Sequence, residues 1–200
     1  MSIKRNRPAT EQKIYEAFLE LLEEEGFRAV GINAIARRAQ VDKNLVYRYY
    51  GGLEGILLRY AKEGDFFEML TDEHMQAEWK GEDTDPREFL KTYLIRAIRI
   101  LRQQTHTQEI LRWQLSQNDD TTKSLFKFAN RQIVSIFKAK AGEGQVMEGL
   151  VQTMPLLVSG LLYLVLMSKH HRYFMELDLS SDQGWERIEA MIATVIDAVT

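Results

Sequence analysis

Ile32-Asn33-Ala34-Ile35-Ala36-Arg37-Arg38-Ala39-Gln40-Val41-Asp42-Lys43-Asn44-Leu45-Val46-Tyr47-Arg48-Tyr49-Tyr50 reads as two short helices separated by a turn. Ile32, Ile35, Ala36 and Ala39 recur at the spacing of one helical face. Gln40 and Val41 make the turn. Asp42 has the side chain to cap a following helix, Lys43 to Tyr50, by accepting from free N–H groups in its first turn. Upstream, Ile14, Ala17, Phe18, Leu21 and Leu22 follow the amphipathic spacing of a first helix, with Thr10 as its expected N-cap and Gly26 as its stop. Three short helices with a tight turn between the last two outline a helix-turn-helix unit.

On a wheel at 100° per residue, Val46 and Tyr50 of the third helix fall together and are expected to pack on the first two. Lys43, Asn44, Tyr47 and Arg48 take the adjoining, outward arc. A cation, an amide, a phenol and a guanidinium are groups that bond base edges and phosphate oxygens in a major groove. A solvated face that binds nothing is the alternative for such a helix taken alone.

The stretch from Gly26 to Tyr50 resembles the DNA-binding signature of the TetR family of bacterial transcriptional regulators. There a G-F link leads to I-A-x-x-A-G-V-S and then x-G-x-L-Y-x-[HY]-F. Ile35, Ala36, Ala39, Val41, Tyr47 and the Tyr49-Tyr50 pair match in order and spacing, and the likeness covers roughly residues 10 to 57. The chain departs from the pattern at Gly31, where Thr or Ser usually caps the second helix, and at Gln40, which replaces the turn glycine. Asn44 replaces a glycine near the start of the third helix, and Leu53 stands where a phosphate-contacting lysine is frequent. The resemblance implies that Asn33, Lys43, Asn44 and Arg48 read bases while Tyr47 and Tyr49 hold phosphates. Lys4, Arg5 and Arg7 form an arm suited to further minor-groove or phosphate contacts.

The charge distribution fits a basic face. Of the 200 residues and a net charge of −3, the first sixty carry ten bases against eight acids, and the rest carries a net −5. The early bases gather in the arm and between Arg28 and Arg48, whereas most of the acids there lie from Glu11 to Glu25. A normally solvated surface is the competing reading. Hydrophobic residues at 45% and charged residues at 28% exclude a disordered chain. The absence of cysteine excludes disulfides, thiolate nucleophiles and Cys-ligated metals. No apolar stretch follows Met1-Ser2-Ile3-Lys4-Arg5-Asn6-Arg7, so no signal peptide and a cytoplasmic location are expected.

Beyond Leu53 the periodicity is helical throughout, and the expected fold class is all-α. It comprises a helix-turn-helix domain over residues 1–52 and a helical regulatory, ligand-binding and dimerisation domain over residues 53–200. Helices are expected from Leu53 toward Trp79; after an Asp85 cap and Pro86, with Phe89, Leu90, Tyr93, Leu94, Ala97 and Leu101 buried; and around Ile110, Leu111, Trp113 and Leu115. Others follow Asn118-Asp119-Asp120, with Leu125, Phe126, Ala129, Ile133 and Ile136 inside, then run from Gln145 to Phe174 and from Asp182 to Val199. No segment alternates like a strand. The most apolar window, Met154 to Met167, contains Pro155, Ser159 and Gly160 and falls short of the roughly 20 residues of a membrane span. It reads as a helix buried on more than one side. The resemblance implies a homodimer built from the last two helices, with Leu157, Leu161, Leu164, Val165, Ile192 and Val195 as interface candidates. A buried central helix in a monomer is the alternative.

No H-E-x-x-H, G-x-S-x-G or Walker loop occurs, and Gly142-Glu143-Gly144 lacks the third glycine of a dinucleotide fingerprint, so neither an enzyme nor a cofactor is expected. Adjacent His170 and His171 point about 100° apart on a helix and do not jointly hold a metal. His74 is isolated. Phe66, Phe67, Met69, Tyr93, Trp113, Phe126 and Phe128 lie on helices that in the resembled family surround an effector cavity. His106, Ile110 and Trp113 share a face, and Arg96 borders an apolar stripe suited to a polar or anionic group. Phe67, Tyr93, Arg96, His106, Trp113 and Phe126 are thus the ligand candidates. The implied function is a dimeric repressor released from a pseudo-palindromic double-stranded operator by a small-molecule effector, with no membrane partner. The alternative is an all-α small-molecule binding protein of the same fold with weak or lost operator binding.

Overall fold

In a computed structural model the described residues are 7–63, 85–140 and 145–199, with side chains at 136–140 and 145–148 left aside. Among them the chain is all-α apart from one two-stranded hairpin. The helices are α1 (Arg7–Glu25), α2 (Ile32–Arg38), α3 (Lys43–Tyr50), α4 (Leu53–Glu63), α5 (Pro86–Gln103), α6 (Thr105–Ser116), α7 (Asp120–Lys140), α8 (Gln145–Ser168) and α9 (Asp182–Ala198). A 3₁₀ turn, Phe27–Ala29, follows α1, and the strands β1 (Tyr173–Phe174) and β2 (Leu177–Asp178) precede α9.

The described residues fall into two compact units. One is built from α1 to α4, α6 and α7 as far as Arg131; the other takes α5, the rest of α7, α8, the hairpin and α9. In the first, Ile14, Phe18, Leu21 and Leu22 of α1 meet Ile35 and Ala36 of α2, Val46 of α3, and Ile56, Leu57 and Ala61 of α4. Ile110 of α6 and Leu125 of α7 join this core, and Trp113 stacks on Phe27 with ring centroids 4.1 Å apart. The hydroxyls of Tyr60 and Thr107 lie 2.8 Å apart, which pairs the otherwise buried threonine.

In the second unit α8 and α9 both pack on α5. Leu90, Tyr93, Leu94 and Ile98 of α5 are buried there, as are Leu150, Leu161 and Val165 of α8 and Trp185, Ile188, Ile192 and Ile196 of α9. Cations on α5 line the α9 seam. Lys91 reaches Asp197 at 2.6 Å, Arg99 takes both oxygens of Glu189 at 2.7 and 2.6 Å, and Arg102 lies 4.4 Å from the Trp185 ring. Asp85 caps α5 by accepting from the Arg87 N–H at 2.9 Å, with Pro86 in the first turn as the sequence predicts. Asp119 caps α7 through the Thr122 N–H at 2.8 Å.

Several expectations need correction. Thr10 is not an N-cap: α1 is already helical at Arg7, because Pro8 in the first turn gives up no hydrogen bond and its fixed φ suits a helix start. The long apolar helix stops at Ser168, not Phe174. The N–H groups of His170 and His171 close it on the Met167 carbonyl at 3.0 and 2.9 Å, and the chain turns into the hairpin, a short antiparallel pairing that the sequence did not announce. Phe126 is 60% exposed while its neighbour Leu125 is buried, so the buried stripe of α7 runs one position away from Phe126, and Leu115 also faces out. The apolar segment is longer than the window read from the sequence: Gly149–Ser168 has the length and composition to cross a membrane. Its Leu150, Met154, Leu161, Val165 and Leu166 are buried within the protein.

Candidate nucleic-acid interface

The α2–α3 turn places the third helix. Ala39 closes α2 on the Ile35 carbonyl, Gln40 takes φ +54°, and the Val41 N–H returns to the Ala36 carbonyl at 2.9 Å. Asp42 then caps α3, its carboxylate accepting from the Asn44 N–H at 2.8 Å, as expected. At the far end Gly51 at φ +71° donates to the Tyr47 carbonyl at 2.8 Å, the left-handed stop that glycine adopts without a Cβ penalty. Val46 is fully buried, and the half-buried Tyr50 donates its hydroxyl to the Glu11 carbonyl of α1 at 2.8 Å. The side of α3 assigned to packing therefore does pack.

The opposite side is open. Lys43, Asn44, Tyr47 and Arg48 are exposed, as are Asn33 at the start of α2 and Arg7 at the start of α1. Tyr49 is half-buried against the core, with its ring flanked by two cations: Arg7 at 5.3 Å from the centroid and Arg48 at 4.9 Å. Arg48 also donates to the Tyr49 hydroxyl at 2.9 Å, while Arg7 pairs with Glu11 at 2.8 Å. Three groups that bind phosphate thus gather at one end of α3. Lys4 and Arg5 lie outside the described residues.

The basic run from Arg28 to Arg48 does not act as one surface. Arg38 on α2 is met by Glu24 at 2.9 Å, Glu25 at 3.1 Å and Glu20 at 3.4 Å, all on α1. Its charge is matched inside the unit, and the acidic end of α1 holds α2 in place. Gly31 precedes α2 with extended backbone and no side-chain cap, and Leu53 packs against the first unit's core. Neither offers the hydroxyl or ammonium that the family pattern has there.

The effector candidates separate. Tyr93 and Arg96 lie on α5 in the second unit. His106, Trp113 and Phe126 belong to the first, where His106 lies 3.7 Å from Glu23 and Trp113 stacks on Phe27. Burial alone drives the Tyr93 phenol pKa far upward, so it stays neutral. Phe67 lies outside the described residues, as do Phe66, Met69, His74 and the extension of α4 toward Trp79. A surface cleft of about 460 Å³ on the first unit is lined by Leu21, Glu25, Ala34, Arg37, Arg38 and Gln40, and none of the effector candidates touches it. Among the described residues no group of three or more His, Cys, Asp or Glu side chains is placed to hold a metal ion.

Of the interface candidates, Leu161, Val165 and Ile192 are buried within the chain's own core. Leu157 and Leu164 are half-buried, and Val195 is exposed. The large apolar side chains left outside on these helices include Leu156 at 80% exposure, Tyr163 at 49% and Met191 at 44%.

Helices α2 and α3, with a short turn between them and a polar outer face on α3, make this part of the chain a helix-turn-helix unit. Residues 14–60 match the family model for the bacterial regulatory proteins of the tetR family. The fold extends the likeness to the whole chain. A TetR transcriptional regulator from Rhodococcus sp. RHA1 is 19% identical, with 98% of this chain and 97% of that one covered at a TM-score of 0.60. NalD, the secondary repressor of the MexAB-OprM multidrug efflux pump in Pseudomonas aeruginosa, is 18% identical over 94% and 96% at 0.62. The transcriptional regulator FadR from Bacillus subtilis, in complex with stearoyl-CoA, is 17% identical over 95% and 99% at 0.60. No curated protein matches the chain.

Proposed function

We propose that the chain is a non-enzymatic, dimeric repressor that holds a pseudo-palindromic operator through α3 of each subunit and releases it when a small molecule binds the helical region. The observation that carries this reading is the division of α3. Val46 and Tyr50 are committed to the core, while Lys43, Asn44, Tyr47 and Arg48 stay outside on a helix capped at both ends. Asn33, Lys43 and Asn44 are the base readers. Arg7, Arg48, Tyr47 and Tyr49, with Lys4 and Arg5 of the arm, hold the backbone. Arg48 moves to this second group because it already lies on Tyr49.

In this reading residues 1–52 bind DNA and residues 53–200 regulate it, in the cytoplasm and without a membrane partner. Phe67, Tyr93, Arg96, His106, Trp113 and Phe126 remain the effector candidates, and the stearoyl-CoA held by a protein of this fold makes acyl-CoA thioesters the first class to try. Leu156, Tyr163, Met191 and Val195 face the partner, with Leu157 and Leu164 at the margin. Two recognition helices are needed because each reads one major groove, and successive grooves lie about 34 Å apart.

The test is selection of duplexes from a random pool by the full chain, followed by affinity at several salt concentrations. A palindromic consensus with a steep salt slope, and release by an acyl-CoA, is the expected result. Retention of no duplex, with acyl-CoA still bound, would replace the reading by that of a small-molecule binding protein of this fold; Gly31, which lacks the family's capping hydroxyl, and Leu53, which lacks its phosphate-contacting ammonium, favour that second reading.

A further inference from the structure

Tyr50 closes α3 at the position where the family pattern has Phe, and its additional hydroxyl is used twice. It donates to the Glu11 carbonyl on α1 at 2.8 Å and accepts from Nη1 of Arg59 on α4 at 2.7 Å. Arg59 engages its other nitrogens as well. Nη2 donates to Gln12 Oε1 on α1 at 3.0 Å, Nε to Glu63 Oε2 at 2.7 Å, and the guanidinium lies 4.2 Å from the centroid of the Tyr15 ring. A guanidinium presents its donors in a rigid planar fork, so these bonds fix the mutual angle of α1, α3 and α4 together. The backbones touch at the same place: a Cβ on Gly55 of α4 would collide with the Tyr50 carbonyl. The Glu63 pair is solvent-facing on its acid side and contributes little by itself, whereas the bond to Tyr50 is part-buried.

We propose that Arg59 and the Tyr50 hydroxyl set the angle of α3 against α4, and that both are positioning residues for DNA binding, not DNA contacts. The inference rests on the reading of α3 as the DNA-contacting helix. Hydrogen bonds fail beyond about 3.5 Å, so displacing α4 by about an ångström breaks the Arg59–Tyr50 bond. Tyr50 then keeps only its α1 partner, and the end of α3 loses its tie to α4.

The chain has no cysteine, so spin labels go cleanly onto Lys43→Cys and Lys62→Cys, exposed positions on α3 and α4. Their distance distribution is measured in the full-length labelled chain and with Tyr50→Phe, Arg59→Lys and both changes. The expected result is a narrow parental distance that broadens in each single variant and no further in the double. In the unlabelled chain, affinity for a duplex selected by the wild type should fall roughly 5-fold in each single variant and no more in the double, the mark of one shared link. The salt slope stays that of the wild type because no phosphate contact is lost. An unchanged distance in folded Tyr50→Phe, additive losses or a reduced salt slope would each overturn the linkage. If the wild type retains no duplex, the DNA reading fails, while the label distances still decide whether α4 and α3 are tied.

Discussion

Gly55 on α4 lies directly against the backbone carbonyl of Tyr50, the last residue of α3. The obstacle a side chain would meet there is main chain and has no rotamer to swing aside. Gly55→Ala must push α4 off α3, at about 1–3 kcal/mol for overpacking of this kind, and should weaken duplex binding with it. Urea unfolding reads the first effect. A midpoint equal to that of the wild type would mean that α4 has room to move.

The α2–α3 turn carries a non-glycine residue in left-handed backbone, Gln40 at φ +54°, where the family pattern has glycine. That conformation costs an L-residue roughly 1–2 kcal/mol, part of which glycine returns through its freer unfolded state. Gln40→Gly is expected to raise stability by about 0.5–1 kcal/mol. Gly31, in extended backbone with nothing within 4 Å of where its Cβ would sit, accepts serine, and Gly31→Ser should add a few tenths by capping α2. Thermal melts of the two variants and their combination check both; a drop in Gln40→Gly would mean that the Gln40 side chain makes a contact worth more than the strain.

Arg38 and Lys43 lie five residues apart and should behave oppositely. Arg38 faces three carboxylates of α1 and Lys43 faces solvent. Arg38→Ala should lower stability by no more than about 1 kcal/mol, since the carboxylates are largely exposed, and leave the salt dependence of DNA binding alone. Lys43→Ala should leave stability alone and reduce the salt slope by about one if it touches phosphate, or relax base preference if it reads an edge. A reduced slope in Arg38→Ala would return that side chain to the interface.

These contrasts mark what the sequence conveys. Periodicity gives the helices because the chain keeps apolar residues at helical spacing almost throughout, and Asp42 and Asp85 announce their helices because capping is local chemistry. Arg38 does not reveal its partners, which lie 13 to 18 residues away on another helix. The hairpin from Tyr173 to Asp178 is too short for any alternation to show, and the apolar run ahead of it makes one helix read straight through its end. Leu161, Val165 and Ile192 look like interface residues because a helix apolar all round does not say which side its own chain covers. The link from Tyr50 to Arg59 had a signal in the sequence, the hydroxyl where the family pattern has Phe, but its partner nine residues on becomes visible only once α4 is folded against α3.

Alkaline pH tests the buried phenols. Burial pushes the Tyr15 phenol up to about 12, raises that of Tyr50 despite the opposing pull of Arg59, and raises Tyr93 further. A phenol whose folded pKa lies above its unfolded value of about 10 favours the folded state while protonated. That stability is present below pH 10 and is lost as pH climbs toward 12. The unfolding midpoint should therefore fall between pH 10 and 12, and less steeply in Tyr15→Phe, which keeps the ring. Equal slopes for the two proteins would show that Tyr15 does not titrate differently in the folded state.

The exposed side of α8 and α9 bears on the two-half-site mechanism itself. Leu156 and Tyr163 are seven residues apart on α8, Met191 and Val195 four apart on α9, and all are exposed apolar side chains. Between the first two, Gly160 has nothing within 4 Å of its Cβ position, so a partner helix can approach closely there. A glutamate at Leu156 meets only water in a single chain and costs the fold little. Across a dimer interface the same charge is desolvated and unpaired, which costs several kcal/mol unless the subunits separate. Leu156→Glu is therefore expected to be folded, monomeric and unable to hold a two-half-site duplex although α3 is untouched, whereas Val165→Glu, buried in its own chain, should unfold the second unit. Sedimentation equilibrium at micromolar concentration distinguishes them. A wild-type chain that sediments at the mass of one subunit at every concentration would remove the interface, and with it the paired recognition helices.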